Sequence, residues 1–346
     1  MSKLEFTIDD IFGDSLNLKL EKESNVQEPI VNKVDEKPKL IKVMKDGIII
    51  LSEELMNKVK KKNLSASTIS SFFQCPADWL MDSFILPLID HEEPIYFVRG
   101  HIFHDAMENF FRLSKKNRNR KTLSQITMKV IKDKYKNVLN DKETMMWVKE
   151  ALQGYIETGF PYKDVTVAQI IKDEHKGPEL GVEIFVKGKL GDTTKNVVGF
   201  IDRVDQQADG TLQIVDYKSG GKIYPFDPSK EISDSNDFGY WRQQLAYTML
   251  LEQAGHKVSR AILEFPIAKG TVEVDVFNEN LRKQVEKDFE AVDSALNKCI
   301  ENNFFPFNGH FFCKWCGMLS PNFKISKYGN LNVSWADLSQ YVEHLQ

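Results

Sequence analysis

Two aspartates and a lysine, Asp202, Asp216 and Lys218, stand in one stretch, VVGFIDRVDQQADGTLQIVDYKSG over Val197 to Gly220, and their types and spacing fit metal-assisted hydrolysis. The stretch reads as a β-hairpin, because two runs rich in Val, Ile and Phe flank a turn ending in Asp209-Gly210. A three-residue loop Ala208-Asp209-Gly210, with Gly210 left-handed, pairs residue 207 with 211 and hence Asp202 with Asp216. Alternation then puts Leu212, Ile214, Asp216 and Lys218 on one face, and Val198, Phe200, Asp202 and Val204 on the matching face of the partner strand. Like charges about 5 Å apart across a strand pair repel. A hard divalent cation is the natural bridge, since it takes carboxylate oxygens and keeps water in its other positions. Lys218 can then position or deprotonate that water, or neutralise charge on a phosphate in the transition state. The competing reading is a solvated strand end, with Asp202-Arg203 and Asp216-Lys218 as ordinary surface pairs.

The order G-F-I-D-R-V-D, then I-V-D-Y-K-S-G, resembles the core of the RecB-like branch of the PD-(D/E)XK nucleases. That family carries a Gly-x-x-x-His on an upstream helix and a Gln-x-x-x-Tyr on a downstream one. The chain has Gly100-His-Ile-Phe-His104 and Gln243-Gln-Leu-Ala-Tyr247 in that order. Each motif is weak alone and the ordered set, spanning about Leu64 to Cys316, is specific. The resemblance implies an α/β fold with a mixed central β-sheet flanked by helices, the restriction-endonuclease-like core. It also implies a DNA nuclease using Mg2+ or Mn2+, with Asp202 and Asp216 as ligands, His104 assisting coordination, Lys218 acting on the attacking water, and Gln243 and Tyr247 positioning the phosphate. Exonuclease action on DNA ends is favoured, in recombination, repair or phage DNA processing, with a helicase, recombination or replication protein as the expected class of partner. The alternative is a DNA-binding or scaffold protein that keeps the fold without cleavage, against which the intact acids, Lys, His and Gln argue. Glu183 matches an acid that such domains often carry on the preceding strand, where it touches a metal or pairs with a basic residue.

The elements that must position these groups are legible as patterns. Ser65 caps a helix that ends at Cys75-Pro76. Phe97 to Leu113 is an amphipathic helix whose Phe103, Met107, Phe110 and Phe111 share one side, with His104 and Glu108 on its flank. His104 is either a satisfied core histidine or, as a neutral imidazole, a group that completes a metal's coordination or orients its water. Arg112, Lys115, Lys116, Arg118, Arg120 and Lys121 form the densest basic cluster, read as a solvated loop or as a phosphate-backbone contact. Gln125 to Lys163 reads as helical, Val165 to Lys189 as strand, Gly220 to Phe238 as loop, and Tyr240 to Ala254 as a helix with Gln243 and Tyr247 one turn apart. Two further strands and a charged helix over Asn278 to Glu301 complete a helix-covered mixed core.

The 346 residues, 42% of them hydrophobic, can bury one large core or two modest ones. A net charge of −4 excludes a generally basic nucleic-acid coat, so DNA contact rests on local patches. No apolar run reaches membrane-spanning length, no leader peptide is evident, and four irregularly spaced cysteines suit a reducing, cytoplasmic setting. Residues 1–38 read as a disordered or partner-binding leader, 39–316 as the nuclease domain and 317–346 as a C-terminal extension that packs on the core or binds a partner. Cys75 is a buried apolar thiol or, with Cys313 and Cys316, part of an iron–sulfur cluster as the resemblance implies. The family's last cysteine is absent from Gly317 to Gln346, so Cys299 or His310 would have to substitute, and such a Cys/His set could equally hold zinc or no metal.

Overall fold

The computed structural model describes residues 38–158, 164–171, 177–223, 236–308, 331 and 333–344. Strands β1 (Ile41–Val43) and β2 (Gly47–Ile50) pair antiparallel. A helix follows, as α1 (Glu53–Lys61) starts at Ser52, whose hydroxyl accepts the Leu55 N–H. Ser65 caps α2 (Ala66–Gln74) in the same way through the Thr68 N–H, and Pro76 opens the short α3 (Pro76–Leu80). Next come α4 (Ile95–Phe111), α5 (Arg120–Lys134) and α6 (Lys142–Glu157). A single helical stretch from Gln125 is therefore corrected. The Asp141 carboxylate accepts the Glu143 N–H, so a new helix start breaks the run.

The short β3 (Gln169–Ile170) and β4 (Glu179–Leu180) pair with each other. The main sheet follows, with β5 (Val182–Gly188), β6 (Val197–Gln206), β7 (Leu212–Tyr217), then α7 (Asn236–Gln253), β8 (Val258–Phe265) and β9 (Gly270–Val274). Its order is β5-β6-β7-β8-β9, antiparallel except for the parallel β7–β8 pair, whose crossover contains α7. After α8 (Glu279–Glu301), β10 (Phe305–Pro306) pairs with β2. Past α9 (Trp335–Ser339), β11 (Val342–His344) lies parallel to β1. This second sheet, β10-β2-β1-β11, joins residues from both ends of the described chain, so the part of 317–346 that is described packs on the core. No helix among the described residues is long and apolar enough to cross a membrane.

Two apolar cores flank the main sheet. One gathers α2, α7, α8 and the second sheet around Leu212, Ile214 and Leu263; the other gathers α4, α5 and α6 around Val182, Val215 and Tyr217. The side-chain pattern shifts at one point. Ile184 and Ile201 belong to the first core, whereas Val182 faces the second and Arg203 bonds the tyrosines there. Between them Glu183 has φ +52°, a left-handed backbone that is unfavourable without glycine. The expectation that Val198, Phe200, Asp202 and Val204 share one buried-looking face fails accordingly, with Phe200 57% exposed and Val204 fully buried.

Arg203, 1% exposed, is not a surface ion-pair partner. It donates to Asp205 at 3.0 Å, to Tyr155 at 3.3 Å, to Tyr217, and to Glu264 at 3.4 Å, and lies 4.1 Å from the Phe111 ring centroid. Burial pushes the Glu264 carboxyl up to about 7 against the pull of Arg203, which sits closer to Asp205. The folded chain therefore holds the Glu264 proton between its ordinary value of 4.5 and about 7, where the unfolded chain has released it. This group's stabilising contribution is lost as pH rises through that window. Urea unfolding should show that Glu264→Gln removes this part of the pH dependence, whereas Arg203→Ala, which strands two buried acids, costs about 3–5 kcal/mol. A loss under about 1 kcal/mol for Arg203→Ala would contradict a buried ion cluster.

Candidate active site

The hairpin closes with the predicted chemistry. Gly210 has φ +87°, the Gln207 N–H bonds the Thr211 carbonyl at 2.8 Å, and the ladder runs from Gln206–Leu212 to Arg203–Val215. The next pair in that register is Asp202 and Asp216. Here the backbone ladder gives way to a side chain, and the Tyr217 N–H donates to Asp202 Oδ2 at 2.8 Å. On the other flank Glu183 stands opposite Asp202, in the register that pairs Val182 with Arg203 and Ile184 with Ile201.

His104 comes from α4, with Nδ1 3.3 Å from Asp202 Oδ2 and its ring edge-on to Tyr217 at 5.9 Å. Gly100, one turn earlier, lets the helix pass close to Ser219; a Cβ there would lie 3.3 Å from the serine hydroxyl. One ligand atom each from His104, Glu183 and Asp202 lie within 4.8 Å of one another. Glu183 thus joins the site through a role that the sequence left open.

Just past the end of β7, Lys218 Nζ lies 2.5 Å from Asp216 Oδ2 and donates to Gln243 Oε1 at 2.9 Å. Gln243 in turn donates to the Tyr247 hydroxyl at 3.1 Å. Tyr247 fits because residue 199 is glycine: a Cβ there would come within 2.2 Å of its ring. The amide and phenol therefore hold Lys218 in place through a chain of hydrogen bonds, with the Lys218 backbone N–H fixed to the Glu264 carbonyl at 2.8 Å.

The electrostatics follow from burial and proximity. For His104, burial disfavours the charge, but adjacent Asp202 and nearby Asp216 outweigh it and raise the imidazole to about 9. Asp202 is lowered: burial opposes its charge and is overcome by His104, the Tyr217 N–H and Lys218. Burial pushes Asp216 up to about 6 against the pull of Lys218, and burial with the Asp202 charge takes Glu183 to about 7. The site is thus an excess of acids partly held as protonated groups.

Such a set fits a hard divalent cation. Carboxylate oxygens with one imidazole suit Mg2+ or Mn2+, and Asp216 Oδ2 is buried without an aligned hydrogen bond although Lys218 stands beside it. The cysteines do not add to this group. Cys75 and Cys299 are buried in the apolar core, the Cys299 thiol pushed up to about 11 by burial, and no cysteine joins a metal-ligating group among the described residues. The iron–sulfur reading gains no support there; Cys313, Cys316 and His310 lie outside the described residues. Within the basic cluster only Arg118 departs from a solvated loop: it is buried and donates to the Leu113, Val165 and Phe111 carbonyls, while Arg112, Lys115, Lys116, Arg120 and Lys121 are exposed and Lys115 bonds Asp164 and Thr166.

Comparison with known proteins bears on this geometry. A crystal structure of a "Putative exonuclease" from Eubacterium rectale is similar at 14% identity and TM-score 0.48, covering 77% of this chain and 91% of that one. The structure of SSO0001 is similar at 11% identity and TM-score 0.30, covering 70% and 85%. Likenesses at this level carry no argument about activity. No curated protein matches the chain. The family model of the PD-(D/E)XK nuclease superfamily matches residues 63–320, which include every residue of the acid, histidine and lysine constellation. The chain belongs to the PD-(D/E)XK nuclease superfamily.

Proposed function

We propose that the chain is a divalent-metal-dependent DNA nuclease of the RecB-like kind, an exonuclease acting on DNA ends in recombination, repair or phage DNA processing. The observation that supports it most is the convergence of His104, Glu183 and Asp202 within 4.8 Å, beside the Asp216 and Lys218 pair. The ordered motifs favour the RecB-like branch and ends over internal sites. A cytoplasmic setting and a helicase, recombination or replication partner belong to the same reading.

Asp202, Glu183 and His104 would hold the cation, with Asp216 adjoining on the next strand. When bound, Mg2+ or Mn2+ supplies positive charge to the scissile phosphate and acidifies water in the site. Lys218 carries three N–H donors, of which Gln243 engages one, while Asp216 Oδ2 stands beside the ammonium as an ion pair without an aligned hydrogen bond. A remaining donor can orient the attacking water or meet a phosphate oxygen as charge develops. Gln243 and Tyr247 keep that ammonium aimed, which limits the reorganisation needed at the transition state. The water oxygen bonds to phosphorus and one ester oxygen leaves, so the backbone is cut by hydrolysis.

Purified protein should degrade linear DNA with Mg2+ or Mn2+ and stop in chelator. Asp216→Ala or Lys218→Ala should lower the cleavage rate by roughly 10²-fold or more, with DNA binding retained. Wild-type protein that binds DNA yet leaves linear and circular, single-stranded and duplex forms intact with both metals would favour the scaffold alternative.

Proton linkage offers a separate check. With His104 raised to about 9 and Glu183 to about 7, the metal-free site holds protons at neutral pH that a cation must displace. Mn2+ affinity should therefore rise from about pH 6 to pH 9. Calorimetry at neutral pH in buffers of different ionisation enthalpy should register proton release, diminished by His104→Ala. Affinity that is flat or falls with pH would remove these residues from the metal site.

A further inference from the structure

Two phenylalanines with no part in the chemistry above lie in the open beside its acids. On β5 the outward residues are Glu183, Phe185 and Lys187, alternating with buried Val182, Ile184 and Val186. On β6 Val198 and Phe200 lie outward of buried Val197 and Ile201, just before the side-chain pattern shifts at Asp202. The register pairs Phe185 directly with Phe200, with ring centroids 5.2 Å apart. Contact with each other still leaves them 37% and 57% exposed.

Position gives the pair its meaning. Residues two apart along a strand lie about 7 Å from each other. Two residues beyond Phe200 is Asp202, and beyond Phe185 is Glu183. Two residues the other way, Val198 lines an open cavity of about 620 Å³ where Lys58, Lys61 and Lys62 outnumber the single acid, Asp82, and Ser65 and Ser67 add hydroxyls. Along β6 the order is therefore a hollow lined by lysines, hydroxyls and one aspartate, then two aromatic rings, then the acids. Phosphate suits the hollow, the flat face of an unpaired base suits the rings, and the cleaved phosphate suits the acids with their cation. Alternating charge and aromatic sites of this kind bind a single strand, whose bases are available to stack. A duplex keeps its bases stacked inside and offers the rings nothing comparable.

Resting on the nuclease reading, we propose that Phe185 and Phe200 form a stacking subsite for one unpaired base of a single-stranded DNA end, and that the cavity beside Val198 takes a backbone phosphate further along the same strand. The pair then selects for strands already opened and sets the register in which the backbone meets Asp202.

The test measures fluorescence anisotropy of the full chain, in chelator, with a dye-labelled oligothymidylate and with a duplex of equal length. Phe185→Thr with Phe200→Thr, which puts a strand-favouring β-branched residue at both positions, should weaken single-strand binding about five- to a hundred-fold. Duplex binding and the unfolding midpoint should hardly move, and Phe200→Trp should retain the affinity. Oligonucleotides with one abasic position moved along the strand should reveal a position at which wild type loses affinity and the double variant does not. Wild type that cleaves DNA but is indifferent to every abasic position would overturn the stacking subsite and leave the nuclease reading standing. Unchanged single-strand affinity with an altered sedimentation coefficient would make the pair a contact between copies of the chain and overturn it too. Failure to cleave any DNA with either metal would remove the nuclease reading and the inference with it.

Discussion

The hydrogen bond from the Tyr217 N–H to the Asp202 carboxylate, 2.8 Å long, is the contact on which the geometry of the site depends. It replaces a rung of the β6–β7 ladder with a side chain, so Asp202 is fixed by the same backbone that carries Asp216 and Lys218. The same oxygen lies 3.3 Å from His104, which ties α4 to the strand pair. On the opposite face Tyr217 and Arg203 belong to a buried cluster with Asp205, Glu264 and Tyr155. One peptide unit therefore couples the acids of the site to an ion cluster that anchors the sheet to α6. Networks of this kind rigidify when every charge is paired and are costly when one is removed.

What holds the site together also strains it. Three carboxylates gather around one imidazole and one ammonium, and Glu183 does so from a left-handed backbone. In the protein alone protons relieve this: burial, with the Asp202 charge added, raises Glu183 and Asp216, and the Asp202 and Asp216 charges raise His104 against its burial. A cation that takes the place of those protons would stabilise the folded chain by mass action. Strain kept at a functional site and supported by well-paired structure behind it is a recurring arrangement.

Local chemistry was legible in the sequence where short-range rules decide. Asp209-Gly210 fixed the turn, and the turn fixed which residue of β6 faces Asp216. Ser65 marked a helix start by a side chain that caps, and the charged helix read from Asn278 begins there. Three things were not legible, for physical reasons. Strict alternation predicted one face for Val198 to Val204, but the left-handed Glu183 shifts the pattern just where the site lies. The charge of Arg203 and Arg118 suggested the surface, whereas both are buried and donate in part to groups distant in the sequence, Tyr155 and Glu264 for Arg203 and the Val165 carbonyl for Arg118. The second sheet is built from strands of two to four residues whose pairing partners are as many as 301 positions apart, as for Lys42 and Glu343, and no periodicity survives in segments so short.

The central claim is that one divalent cation is gathered by side chains from α4, β5, β6 and β7. Crystals grown with Mn2+ and measured at the manganese absorption edge test it directly, because the anomalous map locates the ion without assuming its ligands. The account predicts a peak within coordination distance of Asp202, with His104, Glu183 or Asp216 completing the protein ligands and Lys218 Nζ nearby but not bound. An intact fold with no peak between β5, β6 and β7, or with manganese held elsewhere, would contradict it.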